Sequence, residues 1–182
     1  MNHKICRFRF LILMVLLPFY TAPTQADSSI EKAGDVLAIL IPGIGLGSTL
    51  FYEHGYEGTI QFAKSAATSG LVTEGLKKIT HKRRPNGDCC ESFPSGHTSA
   101  AFMGAAFIHK RYGLREAILP YIGATFVGYS RVHADKHFVE DVIGGAAIGI
   151  ASSFYFTKPY KGFTVTPVVE KDGLTVSFSR NW

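Results

Sequence analysis

Polar and apolar residues repeat with a helical period over most of the chain. Residues 58 to about 81 place apolar side chains three or four positions apart among polar ones, which predicts an amphipathic helix. Further helices are predicted from about 95 to 110, from about 116 to 131 and from about 137 to 156. Residues 36–51 are apolar but contain one proline and three glycines, so this segment predicts a broken or kinked helix at best.

The pattern changes from a helical to an alternating one after residue 160. Two short runs alternate between apolar and polar residues on either side of Asp172-Gly173, a dipeptide typical of β-hairpin turns. We therefore expect an all-α helical bundle of about five helices with a short C-terminal β-hairpin. The corresponding segments are a signal peptide at 1–26, a helical domain at 27–160 and the hairpin at 161–182.

The first 26 residues have the layout of a secretory signal peptide. Lys4, Arg7 and Arg9 precede an apolar run at 10–20, and small residues stand at 24 and 26, before the expected cleavage point. The apolar run is too short to favour spanning a membrane, although an uncleaved anchor is the alternative. We therefore expect export to the periplasm or to the periplasmic face of a bacterial membrane.

Charge and cysteine content narrow the possible partners. The chain carries 19 Lys and Arg against 14 Asp and Glu, but the predicted signal peptide holds three of these cations and none of the acids. The rest is close to neutral, so we expect no nucleic-acid partner. Cys89 and Cys90 are adjacent, which suits two thiols, an intermolecular bridge or a strained small ring, and they lack the spacing of a metal site.

Three groups of chemically active residues follow one another along the chain. They are Lys77…Arg84-Pro85, then Pro94-Ser95-Gly96-His97, then Ser130-Arg131…His137…Asp141. Each group lies where one predicted helix ends or the next begins. Because short connections favour antiparallel neighbours, we expect all three groups to meet at one end of the bundle.

The cations and the helix start suit the binding of phosphate. Lys77, Arg84 and Arg131 can neutralise non-bridging oxygens, which is most of what phosphoryl transfer requires of a protein. Ser95 can cap the helix that follows, and with the N–H groups from Gly96 onward it offers a helix-N-terminus anion site. The chain lacks clustered carboxylates of the kind that bind Mg²⁺, so we expect neither a metal nor another cofactor.

The two histidines of these groups suit covalent catalysis on phosphate. His137 would attack phosphorus as a neutral imidazole and form a phosphohistidine. Asp141 lies one helical turn later and would bind the other ring nitrogen of His137, fixing its tautomer. His97 would protonate the leaving oxygen and then activate water.

Residues near these groups are expected to have only structural or solvent-facing roles. Solvated surface charges are expected at three positions: Lys78, Lys82 and Arg83. Glycines of the last helix are expected to permit close helix packing rather than to contact a ligand: Gly144, Gly145 and Gly149.

The order and spacing of the three groups resemble a known signature. Lys77-x6-Arg84-Pro85, Pro94-Ser95-Gly96-His97 and Ser130-Arg131-x5-His137-x3-Asp141 are similar to the three-part signature of the type-2 phosphatidic acid phosphatase superfamily. That superfamily includes lipid phosphatases, bacterial class A acid phosphatases and vanadium haloperoxidases. The resemblance covers residues 77 to 141, and it implies the helical bundle of the family with the nucleophile, acid and phosphate-binding roles argued above.

An exported, metal-independent phosphohydrolase is the function that these observations favour. We expect it to cleave phosphate monoesters or pyrophosphates, with a phosphatidate-like or polyprenyl lipid as the substrate. A soluble periplasmic acid phosphatase of broad specificity, acting on small-molecule phosphates, is one alternative, and vanadium haloperoxidase chemistry suits so short a chain poorly. A non-catalytic phosphate-binding envelope protein is a further alternative, although binding alone requires neither a nucleophile nor an acid.

Membrane association depends on the lengths of the apolar segments. Residues 36–51, 117–129 and 142–156 are each shorter than the roughly 20 residues that a membrane span needs. These lengths favour a periplasmic bundle that is soluble or peripherally bound. An integral protein with short spans is the alternative, in which the basic segment at 109–115 would lie on the cytoplasmic side.

Overall fold

The structure, a computed structural model, describes residues 25–160, 163–170 and 173–180. Its helices are α1 (Gln25–Phe51), α2 (Glu57–Thr80), α3 (Gly96–Tyr112), α4 (Leu114–His133) and α5 (Val139–Phe156). Helices α2 to α5 begin and end within two residues of the predicted positions. Apart from its last two residues, the predicted signal peptide lies outside the described part of the chain and stays a prediction.

Helix α3 is the centre of the bundle and packs against the four other helices. Ala101, Ala105 and Phe107 on α3 are completely buried. One apolar cluster joins α3 to α1 and α4, and a second joins it to α2. Buried small and apolar residues such as these are typical of a helix that its neighbours cover on all sides. The neighbouring helices therefore hold the start of α3 in place.

Helix α5 approaches α3 so closely that glycine is needed at the contact. A Cβ atom at Gly149 would lie 2.6 Å from the backbone nitrogen of Met103, and one at Gly144 would lie 2.5 Å from the ring of Phe93. At Gly145 it would collide with the backbone at the start of α3. The prediction of close helix packing is confirmed for Gly145 and Gly149, whereas Gly144 makes room for a ring of the loop before α3. The contact fixes the start of α5 beside the start of α3.

Helix α1 is continuous where the sequence predicted at best a broken helix. Pro42 lies inside it, where the missing N–H and the ring normally disrupt a helix. Ala38 and Ile41 are buried, and a Cβ atom at Gly104 of α3 would lie 2.6 Å from the nitrogen of Pro42. The prediction was wrong because burial against α3 and α4 outweighs the local cost of the proline.

The expected fold class needs a correction at the C-terminus. Two strands, β1 (Phe163–Glu170) and β2 (Gly173–Arg180), pair antiparallel with each other, but neither contacts a described helix. Among the described residues, the packed fold therefore consists of helices alone, and the prediction that a β-hairpin is part of it is wrong. The helices bury their core without the strands, and two strands that pack on nothing are marginal in water.

Within the described part of the chain, two helical segments are long and apolar enough to cross a membrane, namely Ser29–Phe51 and Val139–Phe156. Helix α1 has 27 residues, because it begins at Gln25, well before the apolar stretch at 36–51. The helix lengths therefore do not argue against membrane spanning. Large apolar side chains are also exposed along α1, α4 and α5: Val36, Ile39, Phe51, Leu119, Ile122, Ile143 and Tyr155.

A buried ion pair closes the end of the bundle where α3 finishes. The Arg111 guanidinium donates to both carboxylate oxygens of Glu53, at 2.8 and 2.6 Å, and both side chains are almost fully buried. Arg111 also donates to the carbonyl oxygen of Lys158, and Tyr112 donates to Glu53. This clasp connects the α1–α2 loop, the end of α3 and the segment after α5.

We expect Gly149→Ala to destabilise the protein, because the added methyl group has no room between α5 and α3. Overpacking a core costs about 1–3 kcal/mol, so the thermal unfolding midpoint should fall by several degrees. Gly47→Ala on α1 is the matched control, since a Cβ atom there meets nothing within 4 Å. Its midpoint should stay or rise; equal midpoints for the two variants would contradict the tight α3–α5 contact.

Candidate active site

The three groups of predicted residues converge at one end of the bundle. Helices α2 and α4 end there, whereas α3 and α5 begin there, as antiparallel neighbours joined by short connections do. Each predicted residue lies in the terminal turn of a helix or in the loop beside it: Lys77, Arg84, Ser95, Gly96, His97, Arg131, His137 and Asp141. The expected convergence is therefore present, with the geometry described below.

His137 is buried, and the backbone of the loop before α3 orients its ring. Nδ1 lies 2.7 Å from the carbonyl oxygen of Ser92. Because a carbonyl oxygen only accepts, Nδ1 carries the proton and Nε2 has the lone pair. Burial and the nearby charges of Arg84 and Lys77 lower the pKa of His137 to about 4. The imidazole is therefore neutral near pH 7, as a nucleophile must be.

Asp141 does not bind His137 in the way that the spacing predicted. Its Oδ2 lies 3.8 Å from Nδ1 of His137, beyond hydrogen-bond distance. The buried carboxylate instead accepts hydrogen bonds from the Ser92 hydroxyl, the Phe138 N–H and the Lys82 ammonium. The prediction was wrong because His137 lies before α5 begins, where helical spacing does not apply. Asp141 reaches His137 through Ser92, which contacts both.

Lys82 belongs to the framework of the site, although the sequence analysis placed it among the solvated charges. Its ammonium donates to Asp141 at 2.7 Å and to Glu140 at 2.8 Å, and it lies 4.5 Å from the centroid of the Phe138 ring. Burial opposes the charge, but the two carboxylates raise the pKa of Lys82 above its usual value. No local pattern distinguishes Lys82 from Arg83, because Asp141 lies 59 residues away in sequence.

Lys77 lies beside the first residue of α3. A Cβ atom at Gly96 would lie 3.6 Å from Nζ of Lys77, so the ammonium and the helix start face the same space. The Lys77 side chain is only 12% exposed, and Glu74 holds it at 3.3 Å. Arg84 approaches from the 81–95 loop and acts electrostatically on both histidines. This arrangement suits an anion placed against the first turn of α3.

Ser95 stands at the N-cap position of α3 but makes no side-chain capping hydrogen bond. Its buried hydroxyl accepts a hydrogen bond from the Thr98 hydroxyl at 3.0 Å. Its backbone N–H donates to the carbonyl oxygen of Asp141 at 2.9 Å. The predicted capping by the side chain is therefore wrong: Thr98 engages the hydroxyl, and Ser95 links α3 to α5 through its backbone.

Groups of α1 orient the buried Arg131 side chain. Its Nη1 donates to Asp35 at 2.7 Å, its Nη2 donates to the Glu31 carbonyl oxygen at 2.7 Å, and its Nε donates to the Ser130 hydroxyl at 3.2 Å. Helix α1 comes this close because residue 34 is glycine, where a Cβ atom would collide with Ser130. A guanidinium has five N–H donors, so donors remain for an anion.

His97 is half-exposed and also contacts α1. Its Nε2 lies 3.2 Å from Oδ1 of Asp35. Burial and the charge of Arg131 lower the pKa of His97, and Asp35 opposes that shift. Sequence reasoning missed Asp35, because a single acidic residue in the first helix has no signal that connects it to groups far along the chain.

A cleft of about 470 Å³ extends from the site between α1, α2 and α3. Near the site its lining includes Lys77 and His97. Farther along, small and apolar residues line it: Ala38, Ile39, Ala66, Gly70, Ala100 and Met103. Ser69, Thr73, Glu74 and Ser99 also line it, so the cleft leads from the polar end at the site into a stretch of small residues, several of them apolar.

Comparisons with known proteins point to one family. The model of the PAP2 superfamily matches residues 58–163, more than half of the chain. The lipid A 4'-phosphatase of Helicobacter pylori J99 is 31% identical over 165 residues, which cover 82% of this chain and 81% of that protein. Phosphatidylglycerophosphatase B of Bacillus subtilis is 31% identical, with 85% and 93% covered. The lipid A 1-phosphatase of Porphyromonas gingivalis is 40% identical, but the chain spans only 20% of its length.

Two solved structures have a similar fold. Aquifex aeolicus LpxE superposes with a TM-score of 0.61 at 22% identity, covering 74% of this chain and 87% of that one. A transmembrane PAP2-type phosphatidylglycerolphosphate phosphatase from Bacillus subtilis superposes with a TM-score of 0.52 at 25% identity, covering 76% and 86%. The first of these likenesses concerns the fold alone.

We expect Lys82→Met to destabilise the protein, because it removes a donor from the buried Asp141 carboxylate. Such a loss costs about 1–3 kcal/mol. The pKa of Lys82 is raised on folding, so its contribution is complete below the ordinary lysine pKa of about 10.4 and is lost only as pH rises through the folded value. The difference in thermal midpoint from the unsubstituted protein should therefore stay constant between roughly pH 6 and 9.

Arg83→Met is the matched control for this measurement, since Arg83 is the exposed neighbour of Lys82. It should change the midpoint little. Identical behaviour of the two variants would show that the Lys82–Asp141 contact contributes nothing.

Proposed function

Because the chain belongs to the PAP2 superfamily and is a phosphatase, we propose that it hydrolyses a lipid-linked phosphate monoester or pyrophosphate through a phosphohistidine on His137. The observation that carries this proposal is the state of His137. It is a buried neutral imidazole whose Nδ1 is engaged by Ser92, with the lone pair on Nε2 and two cations nearby. That is the state of a nucleophile rather than of a packing residue.

In the first step, Nε2 of His137 forms a bond to phosphorus while the bond from phosphorus to the leaving oxygen breaks. His97 gives its proton to that oxygen. The ring of His137 becomes cationic as it is phosphorylated, and the carbonyl oxygen of Ser92 stabilises the proton that stays on Nδ1. Lys77, next to Gly96, offsets the charge on the phosphoryl oxygens.

In the second step, water replaces His137 on phosphorus. His97, neutral after the first step, takes a proton from the attacking water, and inorganic phosphate leaves. The bond between phosphorus and Nε2 breaks, and His137 returns to its neutral state. Arg84 and Arg131 offset phosphate charge in both steps, so the proposal requires no metal ion.

A lipid is the leaving group that the surroundings of the site favour. The relatives named above are lipid A and phosphatidylglycerophosphate phosphatases. The cleft that starts at Lys77 and His97 continues between uncharged residues, of which Ile39, Ala66 and Met103 are apolar and suit hydrocarbon adjoining a phosphate. The exposed apolar side chains of α1, α4 and α5 suit contact with a bilayer, from which such a substrate would come.

We propose that the protein is membrane-embedded, with its active site on the outer side of the cytoplasmic membrane. Support comes from the two helical segments long enough to span and from the signal-like N-terminus. Helix α3 begins at the site, and Lys110 and Arg115 lie at its other end, where Arg111 is paired with Glu53; this basic end would lie on the cytoplasmic side.

We expect His137→Ala to abolish hydrolysis of both a lipid phosphate and p-nitrophenyl phosphate, because it removes the attacking nitrogen. His54→Ala is the control, since His54 is an exposed histidine far from the site, between α1 and α2. Turnover should be undiminished in excess chelator. Quenching the enzyme during turnover of ³²P-labelled substrate should trap acid-labile, alkali-stable label, and His137→Ala should trap none.

The same assay on intact cells tests the side of the membrane. Intact cells should hydrolyse p-nitrophenyl phosphate added outside as well as permeabilised cells do, relative to cells that lack the protein. Full activity of His137→Ala or a strict metal requirement would overturn the mechanism. Activity that appears only after permeabilisation would overturn export.

We expect Gly70→Phe to impair lipid turnover selectively. Gly70 lines the cleft, and a side chain there meets open space, so a phenyl ring would fill it without disturbing the helix contacts. Displacing two or three methylene groups, at about 0.8 kcal/mol each, would lower kcat/KM for the lipid by roughly ten- to fiftyfold. Hydrolysis of p-nitrophenyl phosphate should change little.

Gly75→Phe is the matched control for the cleft. Gly75 is also on α2 and also meets open space, but it does not line the cleft. It should leave both activities unchanged. Equal loss of both substrates in Gly70→Phe would show that the cleft does not receive the lipid.

A further inference from the structure

One carboxylate contacts both the proposed acid and a phosphate-binding arginine. Oδ1 of Asp35 lies 3.2 Å from Nε2 of His97 and 2.7 Å from Nη1 of Arg131. Asp35 is on α1, outside the matched residues 58–163. We propose that Asp35 is a positioning residue that orients His97 and determines which of its ring nitrogens exchanges the proton. This inference rests on the proposed function.

The position of the Asp35 carboxylate is fixed from both sides. Arg131, to which it is bound, is buried and also donates to the backbone of Glu31 one turn earlier on α1. Gly34 lets α1 approach until a Cβ atom would collide with Ser130 and would lie 2.9 Å from Nη2 of Arg131. Three contacts thus set the distance of α1 from the end of α4, and Asp35 is placed between Arg131 and His97.

The contact with Asp35 gives the two nitrogens of His97 different tasks. The Asp35 carboxylate can only accept, so at 3.2 Å it favours the proton on Nε2 in both the charged and the neutral ring. Nδ1 is then the nitrogen that exchanges. In the charged ring, Nδ1–H gives its proton to the leaving oxygen; in the neutral ring, Nδ1 has the lone pair that accepts a proton from water. One tautomer of the neutral ring therefore serves both steps. Asp35 would fix this tautomer of His97 as the aspartate of a catalytic triad fixes the tautomer of its histidine.

Asp35 also favours the protonated form of His97, which burial and several cations disfavour. Burial lowers the pKa of His97 most, and three cations lower it further, whereas Asp35 on α1 raises it. The cations are Arg131 on α4, Lys77 on α2 and Arg84 in the 81–95 loop. Removing the carboxylate would deprive His97 of its proton at a lower pH. The acid would then be missing from a larger fraction of enzyme molecules near pH 7.

The test is Asp35→Asn in the full chain, assayed on p-nitrophenyl phosphate and on a lipid phosphate with an alkyl leaving oxygen. An alkoxide leaves poorly without a proton, whereas p-nitrophenolate needs little help from an acid. General acid catalysis contributes roughly 10²–10⁴-fold, so kcat for the alkyl substrate should fall about tenfold or more. The aryl substrate should lose much less, and the alkaline limb of the kcat/KM profile should move to lower pH.

The ratio of the two activities is measured on one preparation, so partial unfolding of Asp35→Asn does not affect it. Asp35→Glu should restore part of the ratio. Glu91→Gln, which removes an exposed carboxylate from the site-side loop, should leave the ratio and the pH profile unchanged.

Three other outcomes would count against the role of Asp35 or against the proposed function. Equal losses on both substrates with an unmoved alkaline limb would reduce Asp35 to a structural role and overturn the inference. Tighter inhibition by inorganic phosphate with unchanged kcat would make Asp35 a competitor for Arg131 instead, and would also overturn it. An unsubstituted protein that hydrolyses neither substrate would refute the proposed function itself.

Discussion

The geometry of the active site depends on the hydrogen bonds of the buried Asp141 carboxylate. The carboxylate binds the side chains of Ser92 and Lys82 and one backbone N–H, and the carbonyl oxygen of the same residue accepts the N–H of Ser95. The start of α5, the 81–95 loop and the start of α3 thereby share one anchor. A buried anion is stable only with its full set of donors, so these three elements must be in place together before His137 is oriented.

The two ends of the bundle differ in how their charged side chains are paired. At one end, Arg111 and Glu53 neutralise each other in a buried pair, and the helices are fastened there. At the other end, several cations approach one another around a space that suits an anion. Asp35 and Asp141 offset part of that charge from α1 and α5. The clasp and the tight α3–α5 contact therefore support a site whose own cations repel one another while no phosphate is present.

Helices α2 to α5 were predictable because their signals are local. A helical period, a loop rich in Pro, Gly and Asp, and short connections defined their limits and brought the three groups of residues to one end. The continuity of α1 was not predictable, since Pro42 is tolerated only through burial against α3. The hairpin prediction was wrong because alternation of apolar and polar residues does not tell whether the bundle has a surface for two strands.

The sequence by itself determined which side chains the site contains. Helical periodicity placed its cations, its two histidines and its glycines at or near the ends of helices. Tertiary structure alone decided which groups touch. In the folded protein, Asp141 binds Ser92 and Lys82 rather than His137. The ring of His137 contacts a backbone carbonyl oxygen, and Asp35 contacts His97. The physical reason is that these partners are distant in sequence, and a hydrogen bond depends on ångström-scale placement that only the packing of α1, α3 and α5 provides.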